Sequence, residues 1–224
     1  MTTHPFTVAR TARYCTSGAE AGQAEEWWLA LHGHAQLASR FIRQLEPLED
    51  GRTRIVAPEA LSRFYLETTR EGRHGPAIGA CWMTREDREA EIADILGYLN
   101  RIDALIQSEA GGRRGVRVLL GFSQGATIAA RWLLRGASLP DRAVLWGAPV
   151  PDDVPLEDLA RRLGPRSLLL VAGLEDPVIP SGMLEQQAAE LERLGVSARA
   201  VRFPGRHEMP PDALRRVAGR AATG

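Results

Sequence analysis

Short apolar runs alternate along this chain with longer segments in which apolar residues return every third or fourth position. The runs predict strands at Phe6–Tyr14, Trp27–Leu31, Thr53–Ala57, Val116–Gly121, Arg142–Trp146, Ser167–Ala172 and Ala198–Phe203. Between the third and fourth, Arg85–Ser108 carries Ile92, Ile95, Leu96, Leu99, Ile102, Leu105 and Ile106 on one helical face. Thr84 with Asp87 predicts a capping box at its start. Ser181–Leu194 and Pro211–Ala218 also have helical spacing. Strands alternating with helices predict an α/β fold, a mostly parallel sheet of about seven strands flanked by helices. The glycine-rich Gly111–Gly115 is too short to be a domain linker, and 224 residues fit one domain, so residues 1–224 are expected to form a single domain. One long irregular stretch interrupts the alternation, Pro58–Met83, with Phe64, Tyr65, Trp82 and Met83 and the segment REGRHGPAIG. Such a stretch is either a functional lid or binding loop or a surface excursion that buries its own aromatics.

Charge narrows the picture. The 28 basic and 28 acidic residues cancel, so no global field draws nucleic acid or an anionic membrane. All the basic residues are arginine, which excludes Schiff-base and P-loop lysine chemistry. Cys15 and Cys81 alone make no disulfide framework, and a reduced, cytoplasmic chain is the expectation. The opening MTTHPFTVARTARYC lacks the apolar core of a signal peptide, and no apolar stretch reaches the length of a membrane span.

The run VLLGFSQGATIAARWLL, residues 118–134, holds a serine between two glycines where a buried strand turns into a helix. Gly121 and Gly125 permit a sharp turn that leaves Ser123 exposed at its top, and the following helix aims its first N–H groups at the same place. A neutral hydroxyl is a poor nucleophile and needs a base and an orienting acid. Asp176 lies in GLEDPVIP, just past the strand Ser167–Ala172; Glu175 is the rival acid, and an Asp-Pro turn is the bland alternative. His207 lies in PGRHEMPPDAL, past the strand Ala198–Phe203. Each of the three follows its own strand, in the order serine, aspartate, histidine. The strand ending in LHGHAQ offers the His34 backbone N–H as an oxyanion donor, beside that of Gln124. His32, His34 and His74 suggest a metal only weakly, because neither HExxH nor a matching carboxylate cluster accompanies them. No metal and no cofactor are expected.

These residues carry a resemblance. The chain resembles the α/β-hydrolase superfamily, and within it the phospholipase/carboxylesterase family that includes acyl-protein thioesterases. It does so through LHG at Leu31–Gly33, GFSQG at Gly121–Gly125, the Asp-Pro-Val-Ile-Pro run from Asp176 and PGRHE at Pro204–Glu208. The resemblance implies an α/β-hydrolase fold with Ser123 as nucleophile, His207 as general base, Asp176 as its orienter, and oxyanion donors on the backbone of His34 and Gln124. It further implies a carboxylesterase acting on a small-molecule ester of short to medium acyl chain, or on thioesters or lysophospholipids, through an acyl-serine intermediate. Acyl transfer or perhydrolysis by the same triad, and a non-catalytic binding protein on this fold, are the alternatives.

The chain departs from the family pattern twice. Ala35 and Gln36 stand where relatives carry a glycine and an acid, and Trp82-Met83-Thr84 lacks the aspartate of the family's tryptophan motif. Phe64, Tyr65, Trp82, Met83, Val178, Ile179 and Met209 are the apolar residues expected to line the substrate pocket, with Trp82 either its wall or a support beneath the long helix.

Overall fold

Trp27, Leu29 and Leu31 enter one apolar cluster while Trp28 and Ala30, between them, enter another. That alternation is what a fully buried strand does with an unbroken apolar run, since successive side chains leave opposite faces of a sheet. The same division recurs at Leu119 against Val118 and Leu120, and at Leu145 against Val144 and Trp146. The computed structural model, which describes residues 1–66 and 77–220, shows why. Seven strands form a mostly parallel sheet with helices on both faces.

In chain order the strands are β1 (Tyr14–Gly18), β2 (Glu26–Leu31), β3 (Thr53–Pro58), β4 (Ser62–Tyr65), β5 (Ile78–Cys81), β6 (Val116–Phe122), β7 (Arg142–Trp146), β8 (Ser167–Gly173) and β9 (Ser197–Phe203). The helices are α1 (Ala38–Gln44), α2 (Arg88–Glu109), α3 (Gln124–Arg135), α4 (Leu156–Leu163), α5 (Met183–Arg193) and α6 (Pro211–Val217). The large sheet runs β1-β3-β2-β6-β7-β8-β9, and only β1 is antiparallel to its neighbour. Helices α2, α3, α4 and α5 cover one face, and α1 and α6 the other.

Three expectations from sequence are corrected. The first strand is Tyr14–Gly18 and not Phe6–Tyr14: Phe6 is exposed, and the polar YCTSG pairs with β3 from Tyr14 opposite Pro58 to Gly18 opposite Arg54. An edge strand with one wet face needs no apolar run, so periodicity does not reveal it. The stretch Pro58–Met83 is not wholly irregular, since β4 and β5 pair as an antiparallel ribbon with Ser62 opposite Cys81 and Tyr65 opposite Ile78. Finally, Thr84 and Asp87 form no capping box. Asp87 occupies the N-cap with φ 49° and no side-chain hydrogen bond, and Thr84 gives both its N–H (2.6 Å) and its hydroxyl (3.0 Å) to Glu91. His74 and most of REGRHGPAIG lie outside the described residues.

The glycines flanking Ser123 are demanded by packing. A Cβ on Gly125 would sit 2.2 Å from the Leu31 carbonyl oxygen, and one on Gly121 2.4 Å from that of Gly125. Helix α3 therefore seats directly on the end of β2, which brings Ser123 beside the loop that follows Leu31.

Candidate active site

Ser123, Asp176 and His207 all follow C-terminal ends of parallel strands, where open α/β sheets gather their sites. Ser123 follows β6 as the N-cap of α3 with φ 53° and ψ −118°, and its N–H donates to the Trp146 carbonyl at 2.7 Å. A non-glycine residue there costs on the order of 1–3 kcal/mol, which the surrounding packing must hold. The strain lifts the side chain out of the strand and starts α3 at the next residue.

The structure brings His207 and Asp176 together. His207 Nδ1 lies 2.8 Å from Asp176 Oδ2, and the other carboxylate oxygen accepts the Val178 N–H at 2.9 Å. The Asp176 side chain is 1% exposed, whereas Glu175, the rival acid, faces solvent. An ionised carboxylate only accepts, so Nδ1 carries the hydrogen and Nε2 keeps a lone pair. That lone pair is what a general base requires. Among the described residues, the hydrogen bonds of His207 include Asp176 but not Ser123. Catalytic hydrogen bonds in free enzymes are often long and tighten on substrate binding.

The backbone donors of the turn Gly33–Gln36 are mostly paired. Gly33 N–H donates to Gln36 Oε1 at 2.8 Å, Ala35 N–H to the Ala80 carbonyl at 2.9 Å, and Gln36 N–H to the Gly33 carbonyl at 3.3 Å. Neither the His34 N–H nor the Gln124 N–H has an acceptor among the described residues. The first of the two departures noted in the sequence, at Ala35 and Gln36, falls in this turn. Ala35 sits at φ 63°, the left-handed region where glycine is at ease, and Gln36 supplies the side-chain acceptor that closes the turn.

The expected pocket residues divide by exposure. Trp82, Ile179 and Met209 are buried, Phe64, Tyr65 and Val178 are exposed, and Met83 lies between. Trp82 is 2% exposed and gives its indole N–H to the His32 carbonyl at 2.8 Å, so it holds the loop from beneath. The Gln124 side chain fastens the same segment, accepting the Trp82 N–H at 2.9 Å and donating to the Met83 carbonyl at 2.8 Å. Phe64 stacks on the exposed His34 ring at 5.5 Å.

Sequence reasoning missed the residues that hold the histidine. Phe122 packs its ring 5.1 Å from that of His207, and Trp146 gives its indole N–H to the Glu208 carbonyl at 2.8 Å. A Cβ on Gly173 would lie 2.3 Å from the carbonyl oxygens of Gly205 and Arg206, so only glycine lets the end of β8 meet the histidine loop. The position of Phe122, immediately before the serine, was the one available signal.

Two surroundings bear on other chemistries. Among the described residues no group of three or more His, Cys, Asp or Glu is placed to hold a metal ion, and no helix is long and apolar enough to cross a membrane. A cavity of about 490 Å³, lined by Trp27, Gln107, Arg113, Arg114, Arg117 and Asp141 among others, opens at the opposite, N-terminal end of the strands. It contains none of the three residues above.

Comparison with known proteins places this arrangement. In overall structure the chain is similar to esterase PE8, with a TM-score of 0.68 at 24% identity over 94% of this chain and 97% of that one. It is similar to the Bacillus cereus carboxylesterase, with a TM-score of 0.69 at 18% identity over 93% and 92% of the two chains. It is also similar to Zea mays acyl-protein thioesterase 2, with a TM-score of 0.64 at 17% identity over 93% and 97%. At these identities the likeness establishes the α/β-hydrolase fold. No curated protein sequence matches the chain. The model of the serine hydrolase (FSH1) family matches residues 23–218, nearly the whole chain, and the protein accordingly belongs to that family and is a serine hydrolase.

Proposed function

We propose that the protein is a carboxylesterase that works through an acyl-serine intermediate. In this reading Ser123 Oγ attacks the ester carbonyl while His207 Nε2 takes its proton, and Asp176 fixes the imidazole tautomer and steadies the imidazolium. The carbonyl oxygen becomes an oxyanion that accepts the His34 and Gln124 N–H groups. His207 then returns the proton to the departing alcohol. Water, deprotonated by the same nitrogen, releases the acid and regenerates Ser123. No cofactor takes part. One observation carries the reading: a buried aspartate hydrogen-bonded at 2.8 Å to His207 Nδ1, at the same sheet end as a serine held at φ 53°.

Phe64, Tyr65, Met83 and Val178 are the expected pocket residues with surface to offer an acyl group, which in this reading is of short to medium length. Each methylene that a bound chain buries contributes up to about 0.8 kcal/mol, so kcat/KM rises a few-fold per carbon until the pocket is full. Cys15 and Cys81 are free thiols, in keeping with a cytoplasmic enzyme.

Ser123→Ala tests the reading directly. It should fold normally, lose labelling by a fluorophosphonate, and lower kcat/KM on nitrophenyl butyrate by at least about a thousand-fold, because triad members act as a unit. Turnover near that of the wild type in this variant would refute the assignment.

A further inference from the structure

His32 is fully buried at the end of β2, outside the proton-transfer pair, yet both of its ring nitrogens are engaged. Nδ1 lies 2.8 Å from the Gly33 carbonyl oxygen, and Nε2 lies 3.1 Å from the Ala60 backbone nitrogen. A carbonyl can only accept and an amide can only donate, so the ring is pinned as the neutral Nδ1–H tautomer. The ring packs against Trp82 at 5.0 Å and edge-on to Phe41 at 6.4 Å, and its own carbonyl takes the Trp82 indole N–H. Beyond Ala60 stands Glu59, 3% exposed, whose carboxylate is held by Arg13 Nε at 2.6 Å and by Arg63 at 3.8 Å. The Glu59 carbonyl receives the Tyr98 hydroxyl at 3.2 Å, which ties this segment to α2.

Within the turn that follows His32, the N–H groups of Gly33, Ala35 and Gln36 are all spent on the partners given above, and that of His34 has no acceptor among the described residues. The Gly33 carbonyl is the hinge of this arrangement. It belongs to the peptide whose nitrogen is His34 N, so whatever fixes that carbonyl fixes the direction of the opposite N–H, because the peptide is planar. Two groups meet this carbonyl: the Gln36 N–H at 3.3 Å and, closer and fully buried, the His32 ring at 2.8 Å.

We propose that His32 is a positioning residue for the oxyanion hole, aiming the His34 N–H by gripping the carbonyl side of the peptide that joins Gly33 to His34. It touches no substrate and moves no proton. Its effect reaches the reaction through a donor that matters when charge develops on the carbonyl oxygen, and so falls on the transition state more than on the bound ester. The inference rests on the esterase reading in one respect, that His34 N–H receives the oxyanion.

The test uses the full chain with nitrophenyl butyrate and a trifluoromethyl ketone, whose serine adduct carries an oxyanion. His32→Leu removes both ring hydrogen bonds; His32→Asn keeps a donor near the Nδ1 position. For variants whose circular dichroism matches the wild type, kcat should fall about ten- to a hundred-fold in Leu and less in Asn, with KM within about three-fold. The inhibition constant of the ketone should rise in step with the fall in kcat. A folded His32→Leu with kcat and ketone affinity within two-fold of the wild type would overturn the proposal, as would a change confined to KM. If His32→Leu does not fold, ¹⁵N shifts of the wild-type imidazole decide: the Nδ1–H tautomer supports the clamp, and the Nε2–H tautomer overturns it. The esterase reading fails separately, when the wild type shows no turnover that Ser123→Ala removes. That result would bring this inference down with it, whereas normal wild-type turnover with indifferent His32 variants brings down only this one.

Discussion

Ala35 is the residue at which local strain and local chemistry are most easily separated. Its φ of 63° costs an L-residue about 1–2 kcal/mol relative to the right-handed region, and the hydrogen bonds around it hold the turn regardless. Replacing it with glycine removes that strain but adds about 0.4–1 kcal/mol of unfolded-chain entropy. The first effect is the larger, so Ala35→Gly should raise the unfolding free energy by up to about 1 kcal/mol in urea titrations, with turnover kept. A loss of stability would mean that the alanine methyl packs more favourably than its backbone suggests. At this scale the sequence was legible where a residue's position follows from its chain neighbours. That Ser123, Asp176 and His207 each sit just past a strand end was readable because the element before each one marks it. Gln36, Phe122 and Gly173 were not, because what they do depends on which distant segment the fold lays against them. Trp82 shows the same limit: its place in the sequence left wall and support open, and its hydrogen bond to the His32 carbonyl is visible only once β5 has docked.

Elements are joined around the site by a few polar contacts that no periodicity announces. Asp153, in the loop after β7, accepts from Arg131 of α3 at 2.8 and 2.7 Å and from Arg88 of α2 at 2.7 Å. The same loop is held from the other side, where Val150 and Gln187 of α5 exchange two hydrogen bonds at 2.9 Å. Arg131 is 5% exposed at its side chain, and without Asp153 its guanidinium would keep the Thr127 carbonyl at 3.0 Å but be buried with no counter-charge. Breaking a fully buried ion pair costs about 3–5 kcal/mol, but Asp153 is partly solvated, so Asp153→Asn should cost about 2 kcal/mol. Arg88 is far more exposed, and Arg88→Gln should cost below about 1 kcal/mol. Equal small effects in urea titration would show that the Arg131 pair carries no net stability. The long apolar elements β2, β6, β7, β8 and α2 were legible for the complementary reason, that burial on a regular lattice writes its period into the sequence. The polar edge strand β1 and the β4–β5 ribbon bury too little to leave such a trace.

Across the molecule charge pairs stand at both ends of the sheet. Glu59 and Asp153 are paired past the C-terminal ends of β3 and β7, and at the N-terminal ends Glu26 meets Arg142 and Arg220, with Arg220 also meeting Asp50 at 3.3 Å. These groups, with the buried His32, set how stability responds to acid. Burial holds the His32 imidazole below its ordinary value of 6.5, although the Gly33 carbonyl and the Glu59 charge work the other way. Below pH 6.5 the unfolded chain therefore binds a proton at this position that the folded protein refuses, and stability falls with falling pH until the folded group titrates. The carboxylates act in a lower window. Burial pushes Asp50 and Asp153 up, but hydrogen bonds and arginine charges outweigh it and hold both below 3.8. The Arg202 hydrogen bonds likewise hold Glu185 below 4.5. Their stabilisation is complete above those unfolded values and is lost as pH falls through the folded ones. Unfolding free energy should thus decline in two stages, one beginning near pH 6.5 and one near pH 4.5, with each group contributing at most about 1.4 kcal/mol per pH unit. Urea titrations at pH 7.5, 5.5 and 3.5 read both stages. In His32→Asn the first stage should be absent and the second unchanged. A first stage of equal size in that variant would assign it to another group and leave His32 without a part in the acid response.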